Sequence, residues 1–272
     1  MNLIKQLIYA GIEEEEAKKE ISILESEIKD KEKIKKIVEE RIRTRTPLQY
    51  ILGKAYFMDF ELKVNNNVLI PRPETEILVE EAVRRCVACK ASTALDIGTG
   101  SGNIAIALAK MIPEIKIVAI DINKEIINLA SENAKINKVK NNIIFKICDV
   151  FSECFEALLR NQRFDLIISN PPYLKKAEEQ ETKKRTMQPE VLHEPSTALF
   201  GTKENKTGLI YYERIIDLLR RERSRSFPTI VAFEIDPSIV DDLKKLLKEH
   251  HLEKYEIMKD YSKLERYLFI YF

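Results

Sequence analysis

One feature constrains this chain more than any other. From residue 92 onward, short β-rich runs alternate with stretches of helical period. Residues 93–97, 115–121, 142–149, 164–170 and 229–235 read as strands, and residues 103–111, 124–137, 155–161, 208–221 and 237–250 read as helices. Successive parallel strands need a long crossover, and a helix supplies one. The pattern therefore predicts an α/β fold, a parallel sheet wrapped by helices on both faces. The tail departs from it. Residues 255–259 and 266–272 are only a few positions apart, a connection that suits an antiparallel pair.

The segment ahead of this alternation has a different texture. Apolar positions recur as Leu3, Leu7, Ile8, then Ile21, Leu24, Ile28, then Ile34, Ile37, Val38, Ile42, the spacing of a helix with one buried face. Residues 1–50 hold 11 acids and 11 bases, so this is not a basic arm; it predicts a small helical bundle with solvated Lys and Glu faces. Residues 56–64, three asparagines and then Val68-Leu69-Ile70 predict a β-hairpin with an Asn-rich turn. Pro71-Arg72-Pro73 stops it, and Ile77, Leu78, Glu81, Ala82 and Arg85 resume a helical period. The expected organisation is a helical N-terminal domain over 1–50, a hairpin and linker over 51–75, and the α/β domain over 76–272.

Charge narrows the function classes. The chain carries 45 Lys+Arg against 44 Asp+Glu, a formal net charge of +1. A protein that grips nucleic acid by neutralising phosphates wants a strongly basic surface, so that mode is not expected, although a local basic patch is still allowed. No stretch reads as an export signal or a membrane span, which predicts a cytoplasmic protein without a membrane partner. Four scattered cysteines do not make a disulfide scaffold. Cys86 and Cys89 lack a second pair or a close histidine, so they predict thiols at a helix end and no metal site.

Three of the seven glycines fall in Asp96-Ile97-Gly98-Thr99-Gly100-Ser101-Gly102, where the first strand turns into the first helix. Glycine there lets the backbone turn sharply and approach a ligand, and the helix start offers free amides. The spacing is GxGxG, not the GxGxxG of dinucleotide sites. Asp121 ends the second strand, where a carboxylate can accept both hydrogen bonds of a ribose diol, so an adenosine-like ligand is expected. Asp149 ends the third strand, followed by Val150 and Phe151. It could accept from an exocyclic amine, or cap the next helix.

The most informative segment is Ser169-Asn170-Pro171-Pro172-Tyr173. A hydrophobic strand delivers an asparagine and two prolines to the sheet edge where ligands of parallel sheets bind. The prolines fix the backbone and remove donors, leaving carbonyls and the Asn170 side chain as a stiff, acceptor-rich pocket. Such a pocket suits a planar group carrying an NH2, with Tyr173 placed to stack on it. An amide and the exocyclic amine of a nucleobase fit equally well.

With these two segments the chain resembles the class I methyltransferases that use S-adenosylmethionine, in their NPPY amino-methylating branch. It resembles more closely the peptide-chain release-factor glutamine N5-methyltransferases, along nearly its whole length. Arg45-Thr46-Pro47-Leu48-Gln49-Tyr50-Ile51-Leu52-Gly53, Leu69-Ile70-Pro71-Arg72-Pro73-Glu74-Thr75-Glu76 and Glu194-Pro195 carry that likeness beyond the methyltransferase motifs. Gly201-Thr202 stands where the family tends to show paired glycines, and Glu234-Ile235-Asp236 where it usually shows Glu-Ile-Gly.

The resemblance implies a seven-stranded Rossmann-like sheet with a small helical N-terminal domain that docks the substrate. It implies S-adenosylmethionine as cofactor, with S-adenosylhomocysteine as product. Gly98, Thr99, Gly100, Ser101 and Gly102 would contact its methionine and ribose portions, Asp121 the ribose hydroxyls, and Asp149 and Val150 the adenine. Asn170 would face cofactor and substrate. Asn170 and Pro171 would be the catalytic pair, and with Pro172 and Tyr173 would hold the amide. The implied activity is methyl transfer to the side-chain amide of the glutamine in the Gly-Gly-Gln motif of release factors, its protein partners, without a need for direct nucleic-acid binding. A ribosomal-protein glutamine or a DNA or RNA base amine is the alternative substrate. A non-catalytic adenosine-ligand module or an oxidoreductase is opposed by the GxGxG spacing and the intact NPPY. Residues 174–207 lack a core pattern and predict a binding loop.

Overall fold

The computed structural model describes residues 2–180, 188–221 and 229–272. Its N-terminal part is helical: α1 (Leu3–Tyr9), α2 (Glu14–Glu27), α3 (Lys31–Thr44) and the short α4 (Leu48–Leu52). Side chains cap two of these starts, Asn2 accepting from the Ile4 amide and Asp30 from those of Glu32 and Lys33. Leu7, Ile21, Leu24, Ile34, Val38 and Leu48 close a small core of their own. The expectation of wholly solvated charged faces fails at one place. Arg41 is only 1% exposed; its Nε donates to Glu20 Oε1 and its Nη1 to Glu190 Oε1, each at 2.9 Å. That guanidinium ties the helices to a segment 149 residues downstream.

The hairpin forms, but not with the expected turn. Strands β1 (Lys54–Phe57) and β2 (Phe60–Lys63) pair antiparallel with Phe57 opposite Phe60, so the chain reverses at Met58-Asp59 rather than at the asparagines. Alternation decides the register: Ala55, Phe57, Phe60 and Leu62 are buried while Tyr56 and Glu61 face outward. Met58 takes a left-handed φ of 51°, and its amide donates to Glu76 Oε1 at 2.6 Å. Asn65 instead builds an Asx turn, its side chain accepting from the Asn67 amide, and sends residues 68–72 along the sheet edge.

Helix α5 (Pro73–Cys89) follows, with proline in its first turn and Glu74 and Glu76 at its positive end. Then come β3 (Thr93–Ile97), α6 (Asn103–Met111), β4 (Lys116–Asp121), α7 (Lys124–Ile136), β5 (Ile143–Ile147), α8 (Glu153–Asn161) and β6 (Leu166–Ser169). The short α9 (Ser196–Phe200), α10 (Ile210–Arg221), β7 (Ile230–Glu234), α11 (Val240–Glu249), β8 (Tyr255–Lys259) and β9 (Glu265–Tyr271) follow among the described residues. The seven strands β3–β9 form one sheet in the order β5-β4-β3-β6-β7-β9-β8. β5, β4, β3, β6 and β7 run parallel, and β9 lies antiparallel to both β7 and β8. Order reverses at β3, whose neighbours are β4 on one side and β6 on the other, so a crevice opens at their carboxyl ends.

Both faces of the sheet are packed. Ala94, Ile117, Leu166 and Ala232 face a core shared with α5, α6 and the hairpin. Leu95, Val118, Ile167 and Phe233 face a second core with α8, α10 and α11. No described helix is long and apolar enough to cross a membrane.

Candidate active site

A cavity of about 360 Å³ lies at the carboxyl ends of β3, β4 and β6. Three walls come from the sheet: residues 98–101 after β3, Asp121 with Ile122 and Asn123 after β4, and residues 169–172 at the end of β6. Residues 67–72 and Thr75 form a fourth wall, and Pro195, Thr197, Ala198, Gly201, Thr202 and Tyr211 a fifth.

Backbone geometry explains the glycine turn. Gly98 and Gly100 have φ of 72° and 54°, values that L side chains rarely adopt; a Cβ on Gly98 would stand in open space, and one on Gly100 would meet the Gly98 carbonyl at 4.0 Å. The amides of Gly98 and Thr99 both donate to the Ile120 carbonyl at 2.9 Å, locking the turn against β4. Gly102 plays a different part from the one expected. It is not in the lining; a Cβ there would meet Ile106 at 3.2 Å and Ala130 at 3.3 Å, so its role is to let α6 pack against α7. Behind the turn, buried Asn133 accepts from the Lys63 amide and donates to the carbonyls of Lys63 and Ser101. The Ser101 hydroxyl is buried with no partner.

Three carboxylates sit at this edge. Asp121 Oδ2 accepts from the Gly100 amide at 3.1 Å, which bolts the end of β4 to the turn, and burial raises its carboxyl above the ordinary range. Asp96 is fully buried, accepts from the Thr99 hydroxyl at 2.7 Å, and is pushed up to about 7 by burial. Asp149 lines the cavity with Val150, and its Oδ1 accepts from the Phe151 amide at 2.9 Å, an Asx turn that leads into α8.

At the end of β6, Asn170, Pro171 and Pro172 line the cavity. Asn170 Nδ2 donates to Thr75 Oγ1 at 3.2 Å, and Thr75 Oγ1 donates to Glu234 Oε2 at 2.6 Å. Tyr173 corrects the sequence reading. It is absent from the lining; its ring packs against the core behind β6 and β7, where burial pushes its hydroxyl up to about 12.

The loop after the motif is shaped by a residue the sequence reading passed over. Asn205 is fully buried, and its Nδ2 donates to the carbonyls of Pro172, Leu174 and Phe200. Gly208 sits close behind, where a Cβ would come within 2.4 Å of the Tyr173 carbonyl. Arg72 donates to Glu194 Oε2 at 2.7 Å, joining the proline-flanked arginine to Glu194-Pro195. Thr75, Asn133, Asn205 and Glu234 are the site residues missed as such. Most of their partners lie far off in sequence, and only two segments left any trace, Thr75 within a stretch noted for family likeness and Glu234 within one noted as a departure from it. Residues 181–187 of the expected binding loop lie outside the described residues. Among the described residues no group of three or more His, Cys, Asp or Glu could hold a metal ion.

Comparison with known proteins places this geometry. Residues 89–200 match a family model described as a methyltransferase domain. A release factor glutamine methyltransferase of Flavobacterium psychrophilum is 35% identical over 223 residues, 81% of this chain and 73% of that protein. The chain belongs to the release factor glutamine methyltransferase family. Another relative of that name, from Fusobacterium nucleatum subsp. nucleatum, is 37% identical over 87% of this chain; the match spans 63% of that protein's length. The fold is shared more widely: the N-terminal domain of human METTL16 in complex with SAH is 17% identical, with a TM-score of 0.54 over 87% of this chain and 82% of that one. For this glutamine methyltransferase family member, the GxGxG turn and the NPPY segment thus face each other across one cavity.

Proposed function

We propose that this chain transfers a methyl group from S-adenosylmethionine to the side-chain amide nitrogen of the glutamine in the Gly-Gly-Gln motif of peptide-chain release factors. One observation carries the reading: a single cavity joins the Gly98–Gly100 turn and Asp121 to Asn170 and Pro171. The names of the relatives point to the same substrate.

The residues present fit the cofactor. The space left where Gly98 and Gly100 carry no Cβ, the unpartnered Ser101 hydroxyl and the Asp121 carboxylate together offer the donors and acceptors that a nucleoside with an amino-acid tail needs. Gly98, Thr99, Gly100 and Ser101 would take the methionine and ribose portions, Asp121 the ribose hydroxyls, and Asp149 with Val150 the adenine. When bound, S-adenosylmethionine supplies a methyl group on a sulfonium, already electrophilic.

The protein's task is then to hold an amide, a poor nucleophile, in line. Asn170 Oδ1 and the Pro171 carbonyl accept from the two NH2 protons. They favour a more pyramidal nitrogen and stabilise the positive charge that grows on it. Alignment of this kind is worth on the order of 7–11 kcal/mol at its upper end. No base is required at the nitrogen, since the proton leaves to solvent after transfer. The N-terminal helices, over 1–50, would dock the protein substrate; the pairing of Arg41 and Arg45 with Glu190, on the approach to Glu194-Pro195, supports that reading.

The deciding experiment offers labelled S-adenosylmethionine with release factors, ribosomal proteins and nucleic acids in separate reactions, and maps the label by mass spectrometry. Label on the Gly-Gly-Gln glutamine is the expected result; label only on a ribosomal protein or a base would overturn the substrate. Asp121→Ala is expected to weaken S-adenosylmethionine binding by about 10–100-fold, the size of a lost hydrogen bond to a charged group. Titration calorimetry showing unchanged affinity would remove Asp121 from the ribose.

A further inference from the structure

At the wall of the cavity, three polar side chains from three elements form one hydrogen-bond chain. Asn170 stands at the end of β6, Thr75 in the first turn of α5 and Glu234 at the end of β7. Asn170 Nδ2 donates to Thr75 Oγ1 at 3.2 Å, and that hydroxyl donates to Glu234 Oε2 at 2.6 Å. Thr75 is 2% exposed and Glu234 3%, so both are held away from bulk water.

The order of donors in this chain has a consequence for Asn170. The two ends of a carboxamide are nearly the same size, and a half-turn exchanges donor for acceptor. A hydroxyl has one proton. While Thr75 gives it to the Glu234 carboxylate, its oxygen can only accept, and Asn170 must present Nδ2 to it. Oδ1 is then the end left for the cavity. We propose that Thr75 and Glu234 are positioning residues that fix the Asn170 carboxamide with Oδ1, and not Nδ2, offered to the substrate's NH2. This rests on the reading that an amide NH2 is methylated here.

Reversing the chain shows what the arrangement guards against. A protonated Glu234 would donate to Thr75 Oγ1, and the hydroxyl would turn its proton to Asn170. The carboxamide would meet it with Oδ1 and leave Nδ2 facing the substrate's NH2, donor against donor. Glu234 is well placed to titrate. Burial pushes its carboxyl up to about 7, Glu74 acts in the same direction, and the Thr75 hydroxyl, Arg266 and Arg72 oppose it. The Tyr173, Tyr212 and Tyr267 hydroxyls are its other close ionisable neighbours. The carboxylate form, and with it the productive carboxamide, holds above that pH and is lost as pH falls through it.

The test separates positioning from simple support. Thr75→Val keeps the shape and removes the hydroxyl; it is expected to lower kcat by about 10–100-fold with the Kd of S-adenosylmethionine unchanged, and Thr75→Ser to restore most of the loss. Glu234→Gln, which does not titrate and so holds one hydrogen-bond direction at every pH, is expected to abolish the acid limb expected of wild type near pH 7. A second readout needs neither cofactor nor substrate. In protein labelled with 15N-asparagine, the Asn170 side-chain NH2 signal, assigned by its absence in Asn170→Ala, is expected to shift with a midpoint near 7 in wild type and to stay flat in Glu234→Gln. Wild-type kcat in Thr75→Val, or an acid limb and shift that persist in Glu234→Gln, would overturn the proposal. If the titration behaves as expected while no release factor is methylated, the substrate reading fails and the hydrogen-bond chain stands.

Discussion

Asn170→Ala is expected to lower kcat by about 10²–10³-fold, the typical cost of removing one preorganised polar group from a developing charge. S-adenosylmethionine affinity should stay within a factor of about two to three, because Asp121 and the glycine turn lie across the cavity from this side chain. The effect falls on turnover for a physical reason. The substrate nitrogen carries little positive charge in the ground state and more as the new bond forms, so an acceptor at its protons acts mainly on the transition state. Pro171 contributes a carbonyl that survives any side-chain substitution, which leaves residual activity rather than none. Methylation time courses at saturating substrate, paired with calorimetry, separate the two quantities. A variant with wild-type kcat would sink the assignment of Asn170, whatever its effect on binding.

The parts of this molecule that the sequence revealed are those whose cause is local. Strands β3, β4, β6 and β7 are largely buried on both sides and therefore read as near-continuous apolar runs, while the edge strand β5 is half open, and the helices between them carry a clear period. All five strands were placed within a residue or two at both ends. The carboxyl edge was legible because its residues are unusual: glycines in a chain poor in glycine, an acid at a strand end, an asparagine before two prolines. What could not be read is pairing across long separations. Thr75 and Glu234 lie 159 positions apart, and neither type announces a partner. Asn133 looked like any polar residue on α7, yet it joins β2 to the turn of β3. The hairpin turn escaped for the opposite reason. Met58-Asp59 lacks the glycine or asparagine that marks a tight turn, and its conformation is held by a distant carboxylate, Glu76. Tyr173 shows how proximity in sequence to a site leaves open which way a ring turns; it packs against the core.

Arg41 is the sharpest case, and its loss is expected to carry a large stability cost. In the sequence it is one cation among many on a charged helix. In the fold it is buried, with Glu20 and Glu190 at 2.9 Å and Glu16 at 3.7 Å. Burial holds the Glu20 carboxyl above its ordinary range even with Arg41 alongside, a sign of how much desolvation the guanidinium offsets. Removing it strands carboxylates that are 6% and 9% exposed, although Arg45 still reaches Glu190 at 2.6 Å. Arg41→Ala is therefore expected to cost about 3–5 kcal/mol, the usual penalty for breaking a buried pair from one side. Glu20→Gln keeps an acceptor for Arg41 and should cost less, roughly 1–2 kcal/mol. The chain has no tryptophan, so far-UV circular dichroism in urea is the suitable measurement. The N-terminal helices have their own core, and Arg41 is a main tie to the segment leading to Glu194-Pro195. The variant should consequently become sensitive to proteolysis near residue 190 at urea concentrations that leave wild type intact. An unfolding midpoint equal to that of wild type would show that this guanidinium contributes nothing net, and with it would go its place as the link between the N-terminal helices and the segment leading to Glu194-Pro195.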